Sequence, residues 1–298
     1  MAPPGPPPIE SPQNPLVRRL RALARERSAR ERSGGYLVWG LHLALEALEA
    51  RAPVREAIVG SRLEGGPEGR GLLERLRREG APLRRMGDRA LEAIEPGSAD
   101  QGILLVVEHR PIDPGELLER RPALCVATHG VQDPGNLGGI LRSAWGFGAG
   151  GAFVLEGCAD PFGSRVARAA MGAHFRLPIA RSRGAVFVAA ARRAGIRLVA
   201  ADLAGDRLPE QADLTGCVAI LLGAEGTGLP PELLRSAELR VRIPMPGGAA
   251  SLNVHAAAAI LLYEAWRQGR GPGGGRNPGG GGVSPGRSGH GRPAAARS

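Results

Sequence analysis

Lysine is missing from this 298-residue chain: all 39 of its basic residues are arginine. That absence excludes the phosphate loop that needs a lysine, and the Schiff-base chemistry of pyridoxal phosphate enzymes and lysine aldolases. The bias fits a GC-rich genome, and it leaves a positive surface of guanidinium groups suited to bidentate phosphate contact and stacking on bases. Cysteine is scarce too. Cys125, Cys158 and Cys217 are isolated, odd in number and set in apolar runs, which reads as buried thiols in a reducing compartment rather than disulfides or metal ligands. The six histidines show no ligand spacing, so no metal is expected. No apolar run reaches membrane-spanning length, and the Pro-rich start lacks the apolar stretch of a signal peptide. The expectation is a cytoplasmic chain with no membrane partner.

What is present is charge, and it is unevenly placed. Residues 1–33 hold seven Arg against three Glu, and residues 268–298 hold five Arg and no acid, so these two ends carry nine of the net +10. Seven Pro fall in the first segment, and twelve Gly and four Pro in the last, a composition typical of disorder. They read as a basic arm, partly disordered, in which LVRRLRALARERSARER (16–32) offers a basic helix between linker-like flanks, and a disordered Gly/Arg-rich tail. Each is either a solvated end or a salt-sensitive attractor of a polyanion such as RNA.

Between the ends the pattern is globular. Helix-like and strand-like segments from Gly34 to GILLVVEH (102–109) form a small α/β unit over 34–110, and polar, Pro-containing 111–121 reads as a linker. Residues 122–267 alternate again: ALCVATH (123–129), GAFVLEG (151–157), HFRLPIA (174–180), IRLVAAD (196–202), CVAILLG (217–223) and LRVRIPM (239–245) read as strands separated by helices. The longest helix is expected over 251–268 with Ser251 as its N-cap. Such alternation predicts a mostly parallel sheet covered on both faces, with ligands in the loops at the carboxyl ends of its strands.

Three of those loops are informative: 129–148 with Asn136 and Arg142, 221–232 with Glu225, and 243–264 with Ser251 and Asn253. Each puts Gly directly after an apolar strand, where backbone groups are free to meet a ligand. None reads G-x-G-x-x-G with a ribose-binding acid about 20 residues on, which disfavours a dinucleotide fold.

The segments NLGGILRSA, LLGAEGTGLP and IPMPGGAASLNVHAAAAI resemble, in family order, motifs 1, 2 and 3 of the SpoU (TrmH) family. These are the RNA ribose 2′-O-methyltransferases of the SPOUT superfamily, and the likeness is greatest to the RlmB-type members that act on guanosine of 23S rRNA. The block before them is similar to the ribosomal-protein-like RNA-binding domain that precedes the catalytic domain in those members. The resemblance implies a C-terminal domain knotted as a deep trefoil, a homodimer, and S-adenosyl-L-methionine as cofactor. It implies a tRNA substrate as the alternative, or an idle RNA-binding or ribosome-assembly protein of the same fold.

By the same resemblance Arg142 is the catalytic arginine, as general base or as the group that orients the RNA phosphate. Asn136 would bond Arg142 or the ribose, Glu225 would anchor the arginine, and Ser251 and Asn253 would offer donors to substrate and loop. Thr128, Leu222, Gly223, Gly226, Ile243, Met245 and Leu252 would line the cofactor. His129 and His255 flank motifs 1 and 3 and read as structural or RNA-proximal rather than as bases.

Overall fold

A computed structural model describes residues 7–97, 102–109 and 111–269. The first half is built on a four-stranded sheet of β1 (Gly35–Trp39), β2 (Val54–Val59), β3 (Leu83–Arg85) and β4 (Ile103–Glu108). Its order is β1-β4-β2-β3, with β4 antiparallel to both neighbours and β3 parallel to β2. Both faces are covered over the central β4 and its neighbour β1, which is why GYLVW and ILLVVE read as nearly unbroken apolar runs. Tyr36, Val38, Leu105 and Val107 pack with α3 (Leu41–Glu49) and α4 (Pro67–Arg78). Leu37, Trp39, Leu104 and Val106 pack with α1 (Pro15–Arg25) and α5 (Asp88–Glu92).

The helix expected over 16–32 is here α1 and the segment after it, and α1 is packed on the sheet rather than standing off it. Ile9 bridges to Met86, with Ile9 N–H donating to the Arg85 carbonyl at 3.0 Å. Asn14 caps α1 through the Leu16 N–H at 2.9 Å, and Val17, Leu20 and Leu23 are buried. The short α2 (Arg27–Ser33) follows. Its Arg30 is only 5% exposed and donates to the Leu23 carbonyl and, through Nε, to Asp160 Oδ2 at 2.7 Å. The arginines of α1 lie at helical spacing outside an apolar stripe of Val17, Leu20 and Leu23, the pattern of an amphipathic helix packed on a core. The expected tail falls, beyond Gly269, outside the described residues.

The second sheet comprises β5 (Leu124–Thr128), β6 (Gly151–Val154), β7 (Ile179–Arg181), β8 (Arg197–Ala201), β9 (Val218–Leu222) and β10 (Leu239–Val241). All its pairs are parallel, in the order β10-β8-β9-β5-β6-β7. Val126, Val154, Val218 and Ile220 face α7 (Pro134–Gly146) and α11 (Val254–Gly269), while α8 (Ser164–Ala169) packs on α7. Cys125, Phe153, Ala219 and Leu221 face α9 (Gly184–Arg193), α10 (Pro231–Ser236) and α6 (Pro114–Glu119).

Three local readings are corrected. The expected linker contains α6, capped by Asp113, whose Leu117 and Leu118 are buried. A strand over 174–180 is confined to β7, because Gly172 at φ +92° starts a 3-10 turn, Ala173–Phe175, ahead of it. Helix α11 begins at Val254, not at Ser251, and Asn253 caps it through the His255 N–H at 2.9 Å.

The halves share one apolar core. At the seam Tyr36 meets Phe162 edge-on at 5.4 Å, His109 stacks on Phe162 at 3.6 Å, and Arg176 pairs with Glu46 at 2.7 Å. Here His174 donates from Nε2 to the Pro161 carbonyl at 2.5 Å, and its Nδ1 is sealed from solvent with no partner among the described residues. Burial pulls its pKa down to about 4. The unfolded chain takes up this proton below about pH 6.5, whereas the folded chain resists it until about pH 4. Stability should therefore fall by up to about 3 kcal/mol as pH drops through that window. Urea titrations of the protein and of His174→Gln across pH 4–7 test this, since the variant should lack that component. Separately, Arg30→Met removes one of the two guanidinium partners of Asp160 (side chain 14% exposed) and leaves Arg181 as the other, and should cost about 1–3 kcal/mol at neutral pH in the same assay.

Candidate functional site

The order of the second sheet fixes where a site can form. From β5 the chain moves outward through β6 and β7, whereas β8, β9 and β10 lie on the other side. The crevice between β5 and β9 is thus the topological switch point, where open parallel sheets bind ligands. Thr128 and Leu222 end these strands in register, and the His129 N–H donates to the Leu222 carbonyl at 2.9 Å. Thr128 is buried, and its Oγ1 lies 3.5 Å from the Cys158 Sγ donor.

Beyond Leu222 the chain makes a tight hairpin. Ala224 and Gly228 exchange backbone hydrogen bonds of 2.8 and 3.2 Å, and Gly228 takes φ +67°. Gly223 lies under this fold-back: a Cβ there would stand 2.1 Å from the Gly228 carbonyl carbon. Glu225 is exposed on the hairpin and accepts from Asn136 Nδ2 at 2.5 Å. Asn136 sits in the first turn of α7, its N–H held at 2.8 Å by the capping carboxylate of Asp133. Its Oδ1 accepts from Asn253 Nδ2 at 2.8 Å. One run of side-chain hydrogen bonds therefore ties together the loops after β5, β9 and β10.

Helix α11 approaches α7 closely, because a Cβ on Gly139 would lie 2.5 Å from His255 Nδ1. His255 Nε2 is 3.1 Å from Ser143 Oγ, and burial, then the nearby Arg142 charge, lowers the His255 pKa. Arg142 itself is exposed and makes no hydrogen bond or ion pair among the described residues. The expected contacts from Asn136 and Glu225 to Arg142 are thereby corrected: those two bond each other, and the guanidinium stays free. Asp133, Ser143 and Gly139 were not singled out from the sequence, although Asp-Pro before a helix is a readable cap signal.

Of the residues expected along a cofactor, Thr128, Leu222 and Gly223 end adjacent strands, and Gly226 lies on the hairpin facing open space. Ile243 and Met245, both half-buried, follow β10, while Ser251 and Leu252 immediately precede α11 and are exposed. Leu252 leaves 36% of its surface bare. Partly bare apolar side chains beside free strand-end backbone suit a ligand with an aromatic face and polar edges.

The SpoU rRNA Methylase family model matches residues 123–263. The chain is 30% identical over 86% of its length to the 23S rRNA (guanosine(2553)-2′-O)-methyltransferase RlmP of Bacillus subtilis, covering 98% of that protein. It is 34% identical over 86% of its length to the 23S rRNA (uridine(2479)-2′-O)-methyltransferase of Streptomyces viridochromogenes, covering 91% of that protein. Among solved structures, the AdoMet-bound rRNA methyltransferase from Sinorhizobium meliloti superposes with a TM-score of 0.77 at 31% identity, over 88% of this chain and 97% of that one. The SpoU methyltransferase AviRb from Streptomyces viridochromogenes, in complex with AdoMet, superposes with a TM-score of 0.76 at 34% identity, over 86% and 98%. The chain belongs to the SpoU methyltransferase family.

The crowding at Gly223 yields a direct test. Gly223→Ala must displace the 224–228 hairpin, an overpacking that costs about 1–3 kcal/mol. Calorimetric titration with S-adenosylmethionine should show affinity weakened roughly tenfold with an unchanged far-ultraviolet circular dichroism spectrum.

Proposed function

We propose that this chain transfers a methyl group from S-adenosylmethionine to a ribose 2′-hydroxyl of RNA, and that its substrate is a guanosine of 23S rRNA. The carrying observation is the Glu225–Asn136–Asn253 run, which locks three strand-end loops around the switch point while leaving Arg142 unpaired. Thr128, Leu222, Gly223, Gly226, Ile243, Met245 and Leu252 would hold the cofactor, which when bound supplies an electrophilic methyl group on sulfonium.

The rest of the work falls to side chains. Arg142 carries only donors and is effectively never deprotonated, so its fitting role is to hold RNA phosphate and the charge developing on the 2′-oxygen. The hydroxyl proton then leaves to a phosphate oxygen or water rather than to the guanidinium. Asn136 and Asn253 set the position of the loop that carries Glu225, and Ser251 presents a hydroxyl at the start of the same segment as Asn253. His255, its pKa lowered, stays neutral at physiological pH, so it does not repel the phosphate-binding charge of Arg142 with a partner cation of its own.

The assembly around the site belongs to the same reading. After β10 at the sheet edge, the chain returns so that α11 packs on α7 and β9, a path that accords with a trefoil knot. Ile260 and Tyr263 on α11 are 39% and 47% exposed, and Tyr263 joins Phe147 and Trp266 in an aromatic group. Such a face suits a homodimer. The first half serves as the RNA-binding unit, of the ribosomal-protein-like kind, and the enzyme acts in the cytoplasm. No helix among the described residues is long and apolar enough to cross a membrane.

The test is transfer of labelled methyl from S-adenosylmethionine to unmodified 23S rRNA and to tRNA, followed by mapping of the modified ribose. Label should enter 23S rRNA at one guanosine, and Arg142→Ala should lower the single-turnover rate by about 10²–10³. Label in tRNA alone, or full activity of the variant, would overturn the proposal.

A further inference from the structure

A groove of about 440 Å³ runs between the two halves. From the second half it is lined by Pro134, in the segment after β5, and by Asp160 and Arg165, in the segment after β6. Both segments leave the carboxyl ends of their strands, the edge on which the site lies. From the first half it is lined by Arg25, the last residue of α1, and by Glu95, beyond α5. Asn136 is two residues beyond Pro134, so the groove adjoins the hydrogen-bonded run described above.

Helix α1 continues the groove with positive charge. Its sequence, PLVRRLRALAR, holds four arginines and no acid. Val17, Leu20 and Leu23 face the core, and at 3.6 residues per turn Arg18, Arg21 and Arg25 then share the opposite side. Arg18 and Arg25 are exposed and Arg21 is half-buried. Arg19, off that stripe, pairs with Glu56. The other three form no ion pair or hydrogen bond among the described residues, and neither does exposed Arg165 across the groove. The acids of the groove are already engaged with the protein. Asp160 accepts from Arg30 and Arg181; Glu95 accepts from Ser164 at 3.0 Å, and its second oxygen is sealed from solvent. Like charges at this helical spacing repel one another, so the stripe calls for an anion from outside the chain.

We infer that the stripe on α1 and the groove hold the sugar–phosphate backbone of bound RNA on its way to the site, with Arg18, Arg21 and Arg25 on one side of the strand and Arg165 on the other. This rests on the RNA substrate proposed above and adds the path by which the strand arrives. A guanidinium fork pairs with phosphate through two parallel hydrogen bonds. Arg18 and Arg25 stand about 10 Å apart along the helix axis, a span over which a nucleic-acid strand presents more than one phosphate. Such contacts fix the orientation and register of the strand without reading its bases. An acidic protein is the poorer fit, because protein interfaces centre on apolar and aromatic anchors. The exposed large apolar side chains among the described residues, Val186, Leu203, Leu252, Ile260 and Tyr263, all lie in the second half and none lines the groove. A strand seated between Arg25 and Arg165 touches both halves at once, so the fixed seam sets where it enters the site.

The test measures binding of labelled single-stranded polyuridine to the full chain between about 50 and 200 mM salt. One variant combines Arg18→Gln, Arg21→Gln, Arg25→Gln and Arg165→Gln. A control combines Arg77→Gln, Arg78→Gln, Arg192→Gln and Arg193→Gln, which removes the same charge from exposed arginines at the C-terminal ends of α4 and α9. The first variant should flatten the slope of log affinity against log salt by roughly three units, and Arg165→Gln alone by roughly 0.7. The control should change it by less than about one unit, and S-adenosylmethionine affinity should hold in all three. Equal losses in the two fourfold variants, or an unaltered slope in the first, would refute the inference. If the first variant also loses S-adenosylmethionine affinity, the slope of Arg165→Gln decides in its place. Methyl transfer to 23S rRNA by the unaltered protein, measured in parallel, separates the two readings. Transfer with equal losses removes this one and leaves the function standing; a loss confined to the first variant, with no transfer to any RNA, removes the function and leaves the path.

Discussion

The amide of Asn136 is the joint on which the second half closes. An amide side chain has one accepting end and one donating end, and Glu225, when ionised, can only accept. Asn136 must therefore turn Nδ2 toward Glu225, which leaves Oδ1 for Asn253 Nδ2 and leaves Asn253 Oδ1 for the His255 N–H. The run has a direction, set at its carboxylate end, and neither amide can flip without breaking two bonds. It joins loops from strands that are distant in sequence, and its last acceptor also caps α11.

Small residues let that arrangement form. Gly139 admits the His255 ring against α7, and Gly223 admits the returning hairpin. Around them the parallel sheet supplies rigidity, with both faces covered by helices. The result divides labour between a fixed frame of neutral and acidic groups and the exposed guanidinium of Arg142, which makes no hydrogen bond or ion pair among the described residues, while several arginines elsewhere are committed to carboxylates. Arg30 and Arg181 share Asp160, Arg197 pairs with Asp213, and Arg267 pairs with Glu264. The formal charge of +10 therefore says little about the site.

How much was legible in the sequence follows from the range of each interaction. The second sheet was readable because buried parallel strands are continuous apolar runs, and the three strand-end loops because glycine follows each strand. The residues Asn136, Glu225 and Asn253 were singled out correctly as neighbours, but their partners were not. Who bonds whom depends on a few ångströms of helix placement, and the spacing of Asn136 and Arg142 on one helix says nothing of a hairpin 89 residues away. The N-terminal helix over 16–32 was legible, but its packing was not, for the opposite reason. Composition over 33 residues averages a buried stripe of Val17, Leu20 and Leu23 with the arginines around it, and α6 was hidden in the same way by its prolines and acids. The Ser251 cap failed because Ser251 and Asn253 are both good capping residues, and only the partner at Asn136 selects the second.

The seam between the halves has a consequence for how such chains diversify. Tyr36 and His109 from one half close around Phe162 from the other, and Arg176 reaches across to Glu46. A single apolar core runs through both. The N-terminal half is thus not a cassette that recombination could exchange intact: a foreign copy would arrive with a mismatched mating face. An exchange in this architecture has to carry both sides of the seam together.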